Sequence, residues 1–327
     1  MNVKRTLLAA AVVAGALGAT AVKADVVKVD GSSTVYPISA AAAEEFQKFK
    51  KGAVKVTVGV SGTGGGFKKF CRGDIDISDA SRPIKSSEME DCAKAGIKYV
   101  ELPVAFDALT VVINPKNDWA KNITVAELKK IWEPEAQGKI TKWNQINPKW
   151  PNAPIKLYGP GADSGTFEYF TEAVNGKAKA SRGDFTASED DNVLVTGVAR
   201  DKNALGYFGY AYYAENKDKL VAASVDGGKG PVAPSAESVE NGKYQPLSRP
   251  IFIYVSQKAN ARPEVKKFVD FYLKNADKLV REVGYVGLGG EIYALVGDRY
   301  AKQTLGSAFA GKNTVGVTLD QLLAAEK

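Results

Sequence analysis

The chain has 327 residues, 45% of them apolar and 25% charged, which is about the length of two ordinary domains and excludes disordered and membrane-embedded classes. Its formal net charge is +7, a mild excess spread along the sequence that argues against a nucleic-acid partner. It contains no histidine, so His-based triads, His–zinc sites and His general bases are all excluded.

The first element is a targeting segment. Lys4 and Arg5 precede an apolar run at 7–21, and Val22-Lys23-Ala24 puts compact residues before Asp25. The pattern is that of a Sec-type signal cleaved before Asp25. The run of about 15 residues is short of the roughly 20 that a spanning helix needs. No cysteine lies near the cut, so no lipid anchor is expected. The product is expected in the periplasm or secreted, with a net charge of +4 once Lys4, Arg5 and Lys23 are removed.

The mature sequence alternates strands and helices. A β-branched strand is read at 26–29, a helix at 38–50 with Ala42, Phe46 and Phe49 on its apolar positions, and a strand at 54–60. A Gly-rich turn at 61–66 precedes a helix at 67–71, a strand at 75–78 and a helix at 87–95. An extended crossing at 99–108 leads to a strand at 109–113. A helix at 125–132, capped by Thr124, follows. Residues 133–154 show no period. A strand at 155–158, a second Gly-rich turn at 159–166 and a helix at 167–174 come next. The segments 190–199 and 203–207 continue the alternation, 224–248 reads as loop, and a strand at 251–255 precedes an amphipathic helix at 263–275. This order predicts a parallel sheet flanked by helices. The chain is expected to cross between two lobes near 104–109 and 247–252, giving lobe one as 25–106 plus 250–327 and lobe two as 107–249. The two cysteines, Cys71 and Cys92, suggest one disulfide in an exported protein, with a pair of unbridged thiols as the alternative.

Four segments place Gly, Ser or Thr where a strand hands over to a helix: GSSTVYP at 31–37, SGTGGG at 61–66, DASRP at 79–83 and DSGT at 163–166. A helix N-terminus presents unpaired N–H groups and favours negative charge, and glycine lets the backbone approach an anion closely. Any one of these turns could be an ordinary cap. Four at one topological place, beyond the carboxyl ends of strands, point to a ligand site. SGTGGG lacks the Lys-Ser/Thr ending of a P-loop, and GPGADSGT does not follow GxGxxG, so a small oxyanion is expected rather than a nucleotide.

These four motifs in this order, with GYFGYAYY at 206–213 and SRPIFIYVS at 248–256, resemble the phosphate-binding proteins of bacterial ABC-type phosphate importers over nearly all of 25–280. The resemblance implies an α/β, two-lobed periplasmic-binding-protein fold that closes like a flytrap on dehydrated phosphate. It implies no catalysis and no cofactor, inorganic phosphate and a membrane permease as partners, and a monomer. By position it implies Thr34 and Val35 at the first helix start and Thr63 in the second turn. Ser81 and Arg82 match the third turn, and Ser164, Gly165 and Thr166 the fourth.

Many members of that family carry Arg shortly before the SGT motif. Here that stretch is Gly159-Pro160-Gly161-Ala162, so Arg82 is expected to supply the fork of donors, with an ion pair inside its own lobe as the alternative. A phosphate-selective site also needs an acceptor for the phosphate proton, a contact that repels sulfate. Asp163 is the candidate, a helix cap or a partner for Arg82 being the other roles open to it, and Asp79 is offset. Trp132, Trp143 and Trp150 are expected to pack the irregular stretch. The aromatic run Tyr207, Phe208, Tyr210, Tyr212 and Tyr213 is expected as a core or hinge strand, and Glu189-Asp190-Asp191 as a solvated turn. The alternatives are a receptor for another oxyanion, such as sulfate, molybdate or tungstate, and a phosphoester hydrolase. The second would lack an evident base for a Ser or Thr nucleophile.

Overall fold

The structure, a computed structural model, describes residues 25–162, 164–188, 190–309, 315, 317, 318, 321, 324 and 325. The expected signal segment at 1–24 lies outside them. The chain begins with β1 (Asp25–Gly31), which buries alternate valines Val27 and Val29. α1 (Tyr36–Phe49) follows with Pro37 in its first turn and Ile38, Ala42 and Phe46 inward. β2 (Val54–Val60), α2 (Gly62–Cys71), β3 (Ile77–Ala80) and α3 (Ser86–Lys94) complete the first β/α run. β4 (Tyr99–Ile113) is one strand of 15 buried residues. β5 (Asn122–Thr124) leads into α4 (Val125–Trp132), where Thr124 Oγ1 accepts from the Glu127 N–H at 3.1 Å as expected for a cap. β6 (Lys156–Pro160), α5 (Gly165–Asn175), β7 (Thr186–Ser188), α6 (Asp191–Arg200), β8 (Ala204–Gly209) and α7 (Tyr210–Glu215) continue the alternation. β9 (Val221–Ala222) precedes the stretch read as loop, which holds β10 (Ser224–Asp226), β11 (Pro231–Val232) and α8 (Ala236–Glu240). β12 (Ser248–Ser256), α9 (Gln257–Asn260), α10 (Pro263–Glu282) and α11 (Gly290–Ala301) follow.

The main sheet runs β2-β1-β3-β12-β4-β8-β6-β7, with β9 also on β4. Its two ends are parallel, as the βαβ order predicts: β1 pairs β2 and β3, and β6 pairs β7 and β8. The middle is antiparallel. β12 pairs β3 on one side and β4 on the other, from Ser256↔Tyr99 to Ser248↔Ala108. β4 then pairs β8 over Leu109–Ile113. The crossing at 99–108 and the strand at 109–113 are therefore one continuous strand with two successive neighbours. Covered on both faces, it reads as an almost unbroken apolar run.

Three readings differ from the structure in a physically informative way. The Gly-rich segment at 61–66 is itself the start of α2. A Cβ on Gly66 would lie 2.6 Å from Gly31 Cα and 2.9 Å from Ser78 Oγ, so the glycine lets the helix rest directly on the strands. The aromatic run at 207–213 is a strand only through Gly209: Tyr207 and Phe208 are buried in β8, whereas Tyr210, Tyr212 and Tyr213 sit on α7. α11, with its glycines and weak apolar period, was not anticipated. Trp132, Trp143 and Trp150 are buried as expected, Trp143 meeting Trp150 edge-on at 5.5 Å. Asp190 caps α6, its Oδ1 accepting from the Asn192 N–H at 2.9 Å; Glu189 lies outside the described residues. Cys71 and Cys92 form the disulfide, tying the end of α2 to α3. No helix among the described residues is long and apolar enough to cross a membrane.

Candidate anion-binding site

Three of the four motif turns leave the sheet side by side. Gly31, the last residue of β1, is in register with Val60 of β2 and Asp79 of β3. The Ser61 N–H donates to Gly31 O at 3.0 Å and the Ser32 N–H to Asp79 O at 2.9 Å. Gly31 has φ 146°, and a Cβ there would fall 2.2 Å from Asp79 O, so this crowded strand end accepts only glycine.

In the first turn, Thr34 and Val35 are buried directly before α1. Tyr285 Oη donates to Thr34 O at 2.8 Å and fixes the peptide. Among the described residues, Thr34 Oγ1 is buried without a hydrogen-bond partner. A buried hydroxyl in that state is costly unless something answers it. In the second and third turns, Thr63 and Ser81 are buried together. Their hydroxyls lie 3.0 Å apart, and the Ser81 N–H donates to Thr63 Oγ1 at 3.1 Å. Arg82 sits beside them, over the Phe67 ring at 5.7 Å. Its Nη1 and Nη2 donate to the two oxygens of Glu88, each at 2.9 Å, and Nη1 also to Pro83 O at 3.1 Å. The fork expected to face a ligand thus forms the alternative ion pair, on α3 of its own half, and Nε is buried with no partner among the described residues.

The fourth turn starts α5. Ser164 is its N-cap, Oγ accepting from the Thr166 N–H at 3.1 Å. Asp163 lies outside the described residues. Gly165 bridges the two ends of the sheet: its N–H reaches Ser33 Oγ at 3.4 Å, and a Cβ on it would lie 2.3 Å from Thr34 Oγ1. The predicted residues therefore gather as Thr34 with Ser164–Thr166, and as Thr63 with Ser81 and Arg82. The adjoining ends of β1 and β3 join the two sets. A cavity of about 220 Å³, walled by Pro37, Phe106, Tyr210 and Tyr285, opens beside them and meets the donor set at Thr166.

Two buried carboxylates lie close by. Asp79 is fully buried and faces α1, accepting from Ser39 Oγ at 2.9 Å while its Oδ2 has no partner among the described residues. Burial pushes its carboxyl up to about 7, against the Ser39 hydrogen bond and with help from the Asp30 charge. Asp107, on β4, is raised by burial and lowered in part by Arg249. Arg249 of β12 is the residue that sequence reasoning missed. Its side chain is 4% exposed, and Nη2 donates to Asp107 at 3.4 Å and to Gly165 O at 3.2 Å. Each of these two charges stands alone in a run of buried apolar residues, VAFDALTVVI and SRPIFIYV. That isolation was the available signal for a buried pair across neighbouring strands.

A family model described as a PBP superfamily domain matches residues 17–276. Protein SphX of Synechococcus elongatus is 56% identical over 301 residues, 92% of this chain and 88% of that protein. The phosphate-binding protein PstS of Staphylococcus saprophyticus is 40% identical over 271 residues, covering 82% of each chain. Among solved structures, a possible phosphate binding protein from Planctomyces limnophilus aligns with a TM-score of 0.74 at 51% identity, over 85% of this chain and 98% of that one.

Proposed function

Because the chain belongs to the PBP superfamily, alongside SphX and PstS, we propose that it is an extracytoplasmic receptor that captures inorganic phosphate for the membrane permease of an ABC importer. The observation that carries this reading is the meeting of the first and fourth turns at Gly165 and Thr34. Donors from the two parallel ends of the sheet converge there, beside a buried hydroxyl with no partner among the described residues.

Residues 25–106 and 250–327 form lobe one and 107–249 lobe two in this reading. Phosphate enters when the lobes part and is stripped of water as they close. Backbone N–H groups at the starts of α1 and α5, together with Thr34, Thr63, Ser81 and Thr166 hydroxyls, replace that water. Arg82 contributes Nε. Hydrogen bonds to a charged acceptor are worth about 1.5–3 kcal/mol each, so several suffice for tight capture without full charge neutralisation. Asp163, next to the SGT donors, accepts the phosphate proton and repels sulfate. The protein performs no chemistry and works in the periplasm after removal of residues 1–24.

Titration calorimetry on thoroughly desalted protein tests the proposal. We expect 1:1 binding of phosphate and weak competition by sulfate. An absence of heat with phosphate would reject it, and equal affinity for sulfate would reassign the anion.

A further inference from the structure

We propose that Arg249 is a positioning residue for the anion site, holding and polarising the peptide between Gly165 and Thr166 from its carbonyl side. This inference rests on the phosphate reading above.

Arg249 sits on β12 opposite Asp107 of β4, its register partner. Its guanidinium lies 3.9 Å over the Tyr169 ring, one helical turn below Gly165. Tyr169 is in turn held by its Oη donating to Pro246 O at 2.7 Å. Among the described residues only Nη2 of the guanidinium donates hydrogen bonds, and Nε is buried with no partner. Asp107 accepts at 3.4 Å, a long bond for an ion pair. The guanidinium is therefore far from saturated by its carboxylate. A cation this deeply buried and this incompletely paired is costly as a purely structural element.

The bond to Gly165 O gives it a second role. That carbonyl belongs to the same peptide unit as the Thr166 N–H, which donates to the cap Ser164 Oγ at 3.1 Å at the start of α5. A cation on the oxygen draws electron density from the unit and makes its N–H a stronger donor, as in any hydrogen-bonded chain at low dielectric. It also adds a positive charge behind the helix terminus, where little water screens it. GPGA at 159–162 has no cation before the SGT motif, and the Arg82 fork is held by Glu88. Arg249 thus supplies positive charge to the fourth turn from behind, without occupying the ligand's own space.

The test is phosphate titration of wild type, R249Q, R249K and D107N, with a thermal melt of each. Loss of one charged hydrogen bond predicts a fall in affinity of about 10- to 150-fold for R249Q. R249K, which keeps the charge, should stay within about tenfold of wild type. D107N removes the countercharge and should bind phosphate at least as tightly as wild type. That outcome separates charge supply from structure, because a merely structural ion pair would be broken equally from either side. R249Q binding within about threefold of wild type, or D107N and R249Q weakening binding alike, would overturn the role of Arg249. If R249Q does not fold, R249K and D107N still decide. Wild type that binds no phosphate would instead overturn the functional reading itself.

Discussion

Gly165 concentrates the demands on this site into one residue. Its N–H faces Ser33, its carbonyl takes Arg249, and the position of its missing side chain is filled by Thr34 Oγ1. A methyl group there must either hold the turns apart or rotate the threonine hydroxyl out of the site. Its backbone needs no left-handed conformation, so alanine fits the helix itself. G165A should therefore melt close to wild type and bind phosphate about tenfold or more weakly, about 1.4 kcal/mol or more; unchanged affinity in calorimetry would contradict the geometry. At this scale the sequence was informative where residue type limits chemistry. The hydroxyls and glycines of the four turns are legible because few other residues present donors without bulk. Arg82 was harder. Its partner Glu88 lies six positions on, in the first turn of α3, and whether a guanidinium turns to a ligand or to such a neighbour depends on packing that no local pattern encodes.

At the scale of elements, the second and third turns depend on α2 and α3, which the Cys71–Cys92 disulfide joins. Glu88 of α3 accepts both from Arg82 and from the Lys85 N–H at 2.8 Å, so the bridge also steadies the carboxylate that orients the guanidinium. In the chain-entropy model a closed loop of about this size is worth roughly 3 kcal/mol. Thermal melts of wild type under reducing conditions, and of C71S/C92S, should show a midpoint lower by about 4–6 °C. A shift under about 2 °C would mean that packing alone holds the two helices. The even cysteine count made this bridge legible, and apolar periodicity did the same for most strands and helices. The start of α2 and the length of β4 were not legible. One is a helix built on glycines, which carry no period. The other changes neighbours midway, and only tertiary pairing shows that it is a single strand.

Considered whole, the molecule has two parallel β/α ends joined through β4 and β12. If those strands are the hinge, phosphate should compact the protein. Small-angle scattering should then show the radius of gyration falling by about 1 Å from roughly 19 Å on adding phosphate, and an unchanged profile would argue against lobe motion. The α/β class was legible because strand and helix periods alternate clearly. The antiparallel middle of the sheet was not, since strand direction is a property of topology. That middle has a consequence for how the chain assembles. β12 wedges between β3 and β4, pairing Phe252 with Ala80 and Val255 with Ile77, partners more than 170 positions apart. The β6–β8 end, by contrast, closes within one continuous stretch of sequence. Closing the longer loop carries the larger entropy cost and slows the contacts that depend on it. The β6–β8 end can therefore close as a local unit, while the β1–β3 end waits for β12 before its sheet is complete.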